Sequence, residues 1–200
     1  MAESPAATLI TAYEVRPDAD AAFSTGWELA RRFVGERGAL RSTTLHRALR
    51  GDVLLRFVEI ALIESAARWR DAVADPAFPG AGSPFTAHPG VYEAIREEGD
   101  PDGAGGVVLI TPFEAPAGED ERFLGGWSAM RERFAARQGY LGARVHRSLD
   151  QADFRFVTVV RWSSPLMLSR SLQQPEVEQA IAAMPFAGRP ALYLRTEPGA

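Results

Sequence analysis

The chain has 200 residues, 46% of them apolar, and a formal net charge of −4. That is enough for one large domain or two small ones. It contains no Cys, Lys or Asn, and all 22 basic residues are Arg. Disulfides, thiolate nucleophiles, Cys-held zinc or iron–sulfur sites and Lys Schiff bases are therefore excluded. An acidic balance without a basic block argues against nucleic acid as a partner.

In chain order, "ATLITAYEV" is β-branched and apolar and predicts a strand. A helix follows from Asp18 to about Glu36, with Phe23, Trp27, Ala30 and Val34 at helical spacing, and Gly38 ends it. "LRSTTLHRAL" and "DVLLRFVEIAL" predict two strands joined by the "RGD" turn. A second helix over Ser65–Asp75 starts at a Ser N-cap. A Pro- and Gly-rich irregular stretch precedes the last strand, "GVYEAI". The apolar runs are too short to span a bilayer, and no basic start precedes an apolar leader core. A cytoplasmic protein with no membrane partner is expected.

The second half repeats this order. At a displacement of 100, Leu9-Ile10-Thr11 meets Leu109-Ile110-Thr111, Phe23 meets Phe123, Gly26-Trp27 meets Gly126-Trp127, and His46-Arg47 meets His146-Arg147. Past a one-residue drift, Arg56-Phe57-Val58 matches Arg155-Phe156-Val157, and "SPFTAHPGVYEAI" matches "MPFAGRPALYLRT". Strands are predicted near 106–114, 141–149, 153–162 and 190–196, and helices near 118–137 and 164–183. Two tandem ferredoxin-like βαββαβ repeats follow, in residues 1–98 and 107–200, with a Gly-rich linker over 99–106. The fold class is α+β. Packed sheet to sheet, the two copies form an intramolecular dimeric α/β barrel. A monomer with an internal pseudo-dimer, or a homodimer of it, is expected.

The segment "GYLGARVHRSLDQADFRFVTVVRWSS" (Gly139–Ser164), with "GW", "LHR", "RFV" and "AHPGVY" in the first repeat, resembles the antibiotic biosynthesis monooxygenases. That resemblance implies a cavity between sheet and helices. It also implies a monooxygenase, or more broadly an oxidoreductase, that uses O2 on polyphenolic polyketide intermediates. The simple reading needs no cofactor and no metal. Tandem-repeat relatives resemble ring-opening oxygenases of angucycline pathways, which implies reduced flavin (FADH2 or FMNH2) and a flavin reductase as the alternative. A non-catalytic ligand-binding or cyclase-type accessory protein is a further reading, and a haem-binding protein another. Quinone-forming members carry a strand Asn, a Trp at the strand end and a helix Tyr. Here the second repeat offers Thr158, Trp162 and Leu168, and the first offers Glu59, Ile63 and Trp69.

The candidate catalytic residues are His46, His88, His146 and Trp162. Imidazole is suited to taking a phenol proton near neutral pH. A His bonded to a neighbouring strand is the alternative for His46 and His146, and a loop-fixing His the alternative for His88. Trp27, Trp127, Tyr92, Tyr193 and Arg189 are candidate substrate contacts, the Trp residues as flat walls or simply as core. Arg189 stands at the place of His88, so the two sites are not equivalent. The paired Arg56/Arg155 and Arg47/Arg147 are expected to bind Glu59, Asp52, Asp150 or Asp153 across strands.

Overall fold

The structure is a computed structural model and describes residues 7–80 and 82–196. Thirteen main elements alternate as the repeat predicts. The first copy has β1 (Ala7–Glu14), α1 (Asp20–Glu36), β2 (Leu40–Ala48), β3 (Leu55–Ile63), α2 (Ala66–Ala74) and β4 (Thr86–Gly99). The second has β5 (Val107–Phe113), α3 (Asp120–Ala135), β6 (Tyr140–Ser148), β7 (Phe156–Trp162), α4 (Pro165–Leu172), α5 (Pro175–Ala182) and β8 (Ala191–Arg195).

By contacts the described chain forms two compact units, residues 7–93 with 195–196, and residues 94–194. In the first, β1 lies between β3 and β4, and β3 also pairs with β2, all antiparallel. In the second, β5 lies between β7 and β8, and β7 also pairs with β6. Both orders are ferredoxin-like. The fold is α+β, two βαββαβ units of the dimeric α/β-barrel class. The expected linker is partly strand: β4 continues to Gly99, and its end belongs to the second unit, where the Asp100 N–H donates to the Leu141 carbonyl at 3.0 Å. Gly99 is needed there. It has φ +63°, and a Cβ on it would lie 2.4 Å from the Leu141 oxygen. Conversely, the Thr196 N–H donates to the Leu45 carbonyl within the first unit, at 2.8 Å.

Local chemistry explains most boundaries. A short 3-10 turn at Pro17–Ala19 leads into α1, and Gly38, at φ +64°, ends it. Ser65 and Ser164 cap α2 and α4, accepting from the Arg68 and Met167 N–H groups. One helix is expected over 164–183, but two form. Pro175 has no N–H to continue α4, and it opens α5 as its first residue instead. The pairing of Arg56 and Arg155 also differs from expectation. Arg56 bonds Asp20 at 3.0 and 2.7 Å, and Arg155 bonds Asp120 at 3.2 and 3.0 Å. Each acid opens its helix, so the pair also favours the helix dipole and ties helix start to sheet. Glu59 is free for other work, and Asp52 is taken by Arg50.

Strand alternation sorts the faces. Leu45 and Phe57 pack with Phe23 of α1, and Leu9, Ala61 and Ile63 form a neighbouring cluster. His46 and Val58 therefore face away from the helices. Among the described residues no helix is long and apolar enough to cross a membrane.

Candidate functional site

The first unit holds a cavity of about 680 Å3 between its sheet and its helices. Leu9, Thr11, Tyr13 and Glu59 form its floor, and Phe23, Trp27, Ala30 and Arg31 of α1 form one wall. Trp69 of α2 and Phe78 and Phe85 of the segment before β4 complete it. The exposed Ala22 and Gly26 face the exposed Ser83 and Pro84 at its mouth. The aromatic wall is braced: Phe23 stacks on Phe57 at 4.4 Å and meets Tyr13 and Phe85 edge-on at 4.9 and 5.4 Å.

Glu59 gives this apolar space its chemistry. It lies mid-strand on the helix-facing side and is 8% exposed. Thr43 donates to one carboxyl oxygen at 2.8 Å and Tyr13 to the other at 3.1 Å. Burial pushes the carboxyl above the usual carboxylate range. The Thr43 and Tyr13 hydrogen bonds, the Trp27 indole and the Arg31 charge work against that rise without cancelling it. The Trp27 Nε1 faces the carboxylate but does not reach hydrogen-bonding geometry. Burial, then the Glu59 charge, hold the Tyr13 phenol well above its ordinary value, so Tyr13 is a fixed donor. A carboxylate with raised proton affinity in an aromatic-lined cavity is equipped to take a proton from a weak acid.

The second unit lacks this site. Phe113, Ala143 and Thr158 occupy the places of Tyr13, Thr43 and Glu59. Met130, Phe134 and Tyr140 replace Ala30, Val34 and Leu40, and they pack with Trp127 and Trp162 into a closed core. The extra helix α5 adds Val177 to the same cluster.

Of the candidate residues, Trp27 alone lines the cavity among the described residues. Trp127 and Trp162 are buried in the second unit, where Phe134 meets Trp162 edge-on at 5.4 Å. His46 points away from the cavity, with Nδ1 3.2 Å from the Val58 carbonyl. His146 holds the matching place and is 1% exposed, and neither ring nitrogen reaches a hydrogen-bond partner among the described residues. Burial, then the Arg144 charge, push it down to about 4, against the pull of the Val157 carbonyl, Asp102 and Glu97. His88 meets Glu14 at 3.1 Å; it lies between Ala87 and Pro89, which line the cavity, and so faces the other way. Tyr92 and Tyr193 are buried, and burial raises the Tyr193 phenol. Arg189 bonds Glu114 and lies over Phe154 at 5.7 Å.

Sequence reasoning did not single out Tyr13, Arg31 or Thr43 as site residues, and it treated Glu59 as an ion-pair partner and as the occupant of the family's strand-Asn position, not as a candidate base. One signal was available: Glu59 alternates in phase with Phe57, Ala61 and Ile63, which puts an ionisable group on a core-facing side. It also holds the position at which the family resemblance places a strand Asn, and Trp69, near the position of the helix Tyr, lines the same cavity.

Neither a protein-family model nor a curated protein matches the sequence. Solved structures share the fold. An anthrone oxidase-like protein is 14% identical, with a TM-score of 0.74 over 98% of this chain and 93% of its own. A monooxygenase-like protein from Listeria innocua is 11% identical, with a TM-score of 0.54 over 96% and 95%. A regulator of staphylococcal pathogenesis is 9% identical, with a TM-score of 0.55 over 95% and 99%. The chain thus has an antibiotic biosynthesis monooxygenase-like fold, and that fold alone does not decide chemistry.

Proposed function

We propose that this chain is an oxygenase that acts with O2 on a polyphenolic aromatic compound of polyketide type, bound in the first-unit cavity. The carrying observation is Glu59, a buried carboxylate of raised proton affinity on the floor of an aromatic-lined cavity. The volume of about 680 Å3 suits a polycyclic ligand. Glu59 takes the acidic proton of a phenol or its anthrone tautomer. The resulting electron-rich anion gives one electron to O2, and the radical pair combines as a ring hydroperoxide. Loss of water then leaves a second carbonyl. For anthrone the balance is anthrone plus O2 to anthraquinone plus water: the proton on Glu59 returns to the peroxide to complete the hydroperoxide, and the remaining ring C–H proton leaves with the hydroxide as water. The protein supplies the base, the aromatic-lined pocket and fixed donors.

A resident phosphorylated flavin fits these residues poorly. Among the described lining residues Arg31 is the one cation, and the Glu59 carboxylate lines the same cavity. We therefore favour the cofactor-free version, in which reduced flavin has no part. Ring cleavage with reduced flavin from a reductase is its competitor. Oxygen consumption and quinone absorbance with an anthrone probe test the proposal. Turnover with O2 alone is expected, with kcat/KM rising with pH through a pKa above the usual carboxylate range. Glu59→Gln should lower it by about 10²–10⁴-fold. Turnover that appears only with flavin and a reductase favours the competitor. Tight binding without oxygen uptake favours the accessory-protein reading, as does indifference to Glu59→Gln.

A further inference from the structure

Trp27 and Arg31 lie four residues apart on α1, so their side chains share one helix face, and both line the cavity. Each carries a buried donor that makes no hydrogen bond among the described residues, Arg31 Nε and Trp27 Nε1, the latter facing the Glu59 carboxylate. Buried donors are nearly always paired in folded proteins. The guanidinium lies 5.6 Å from the Trp27 ring, which keeps the two donors together.

The second unit shows what Arg31 lacks. Arg131, at the matching position, is held by Glu98 at 2.8 Å, and Tyr140 donates to the other oxygen of that carboxylate. No carboxylate among the described residues lies within ion-pair distance of Arg31. Glu59 feels its charge through space without meeting it. The indole of Trp127 is also unpaired, but it is sealed in a packed core, whereas Trp27 faces open space.

We infer that Arg31, beside Trp27 on the α1 wall, is the receiving site for an anionic oxygen of the ligand in the cavity whose floor carries Glu59. This deepens the reading of the site as one for phenols and rests on it for the ligand's class. It selects conjugated phenols or vinylogous acids whose acidic hydrogen faces Glu59 while a conjugated oxygen reaches α1. Before proton transfer the negative charge is on Glu59. Afterwards it is on the ligand, delocalised to the oxygen beside Arg31. The net charge of the cavity does not change; the charge moves towards a guanidinium that has no other counter-ion. Arg31 thereby sets which end of the ligand is oxidised.

The test uses 1,8-dihydroxyanthraquinone, a product-like phenol whose ionisation is visible by absorbance and which anthrone-type oxidation does not consume. Bound to the wild-type chain it should ionise at a pH at least one unit below that of the free dye. Tyr13, Glu59 and Arg31 are the titratable groups that line this cavity. Arg31→Met should abolish the shift and weaken binding of the ionised dye at least tenfold, with the thermal midpoint unchanged. Arg31→Lys, which keeps the charge, should restore part of the shift, and Trp27→Phe should lose a smaller part. A dye pKa unaffected by Arg31→Met overturns the inference, as does a shift that survives in both Arg31 variants. The oxygenase reading fails separately: an Arg31-dependent shift with no oxygen uptake on anthrone leaves this site standing without it. Uptake that is indifferent to Arg31→Met does the reverse.

Discussion

The two units carry the same chain path with opposite interiors. In the first, small side chains on α1 leave space, and polar groups from three strands meet in it: Tyr13 from β1, Thr43 from β2 and Glu59 from β3. In the second, Phe113, Ala143 and Thr158 remove the polar groups, and Met130, Phe134 and Tyr140 remove the space. Burying added apolar surface stabilises a unit by roughly 25 cal/mol per Å2, while a buried carboxylate lowers its stability. One copy has a costly polar interior and the other a packed apolar one. Duplication permits this, because a single gene copy in a homodimer must carry both interiors alike.

Substitution at one matched position tests that division most strongly. Phe134 is 1% exposed and lies in the second unit's main cluster, whereas Val34 borders the cavity. Phe134→Ala should cost about 3–5 kcal/mol, because the close-packed surroundings cannot collapse to fill the void. Val34→Ala should cost well under half of that and enlarge the cavity. Urea unfolding of both variants measures the difference. Equal costs would mean that the first unit is as tightly filled as the second.

The next effect is pH dependence in the second unit. His146 is depressed from an ordinary value near 6.5 to about 4, chiefly by burial. The folded chain therefore binds fewer protons than the unfolded chain between those values. The contribution is fully present above about pH 6.5 and is lost as pH falls towards 4. A shift of that size corresponds to about 3 kcal/mol, at about 1.36 kcal/mol per pKa unit. His146→Phe should flatten that limb of the stability profile. If the limb keeps its slope, His146 is not the neutral core residue that its position indicates.

How much of this was legible in the sequence depends on how local each feature is. The duplication, the Ser65 cap and the strand phases were readable because each is decided within a few residues. The break before Pro175 carried a readable signal too, but alignment with a single helix in the first repeat hid it. The cavity was not readable. It depends on the volumes of Ala30, Val34 and Leu40 against one another, and the Tyr13–Thr43–Glu59 cluster joins residues up to 46 positions apart. The His residues drew notice for their chemistry, although strand phase sets His46 opposite Leu45 and so away from the helices. Glu59 had the weaker chemical reputation and the more informative phase.

The smallest predicted effect is the most selective, because it changes sign between the units. Gly26 and Gly126 are matched helix residues, and neither has a positive φ. A Cβ on Gly26 meets nothing within 4 Å, since it projects at the cavity mouth. A Cβ on Gly126 would lie 2.6 Å from Pro185 Cδ and 3.4 Å from Met184 Sδ, where the second unit has closed over its core. Ala in place of Gly favours a helix interior by up to about 1 kcal/mol. Gly26→Ala should therefore stabilise the chain by about 0.5–1 kcal/mol. Gly126→Ala should gain the same helix preference, lose more to the displaced Pro185, and come out destabilised by about 1 kcal/mol or more. Thermal unfolding reads both signs. Gly26→Leu extends the comparison to binding: a side chain at the mouth should raise the KM for a polycyclic ligand while keeping the stability gain. If both Ala variants shift stability in the same direction, the open mouth is not a real difference between the units. If Gly26→Leu leaves KM unchanged, ligands enter the cavity by another route.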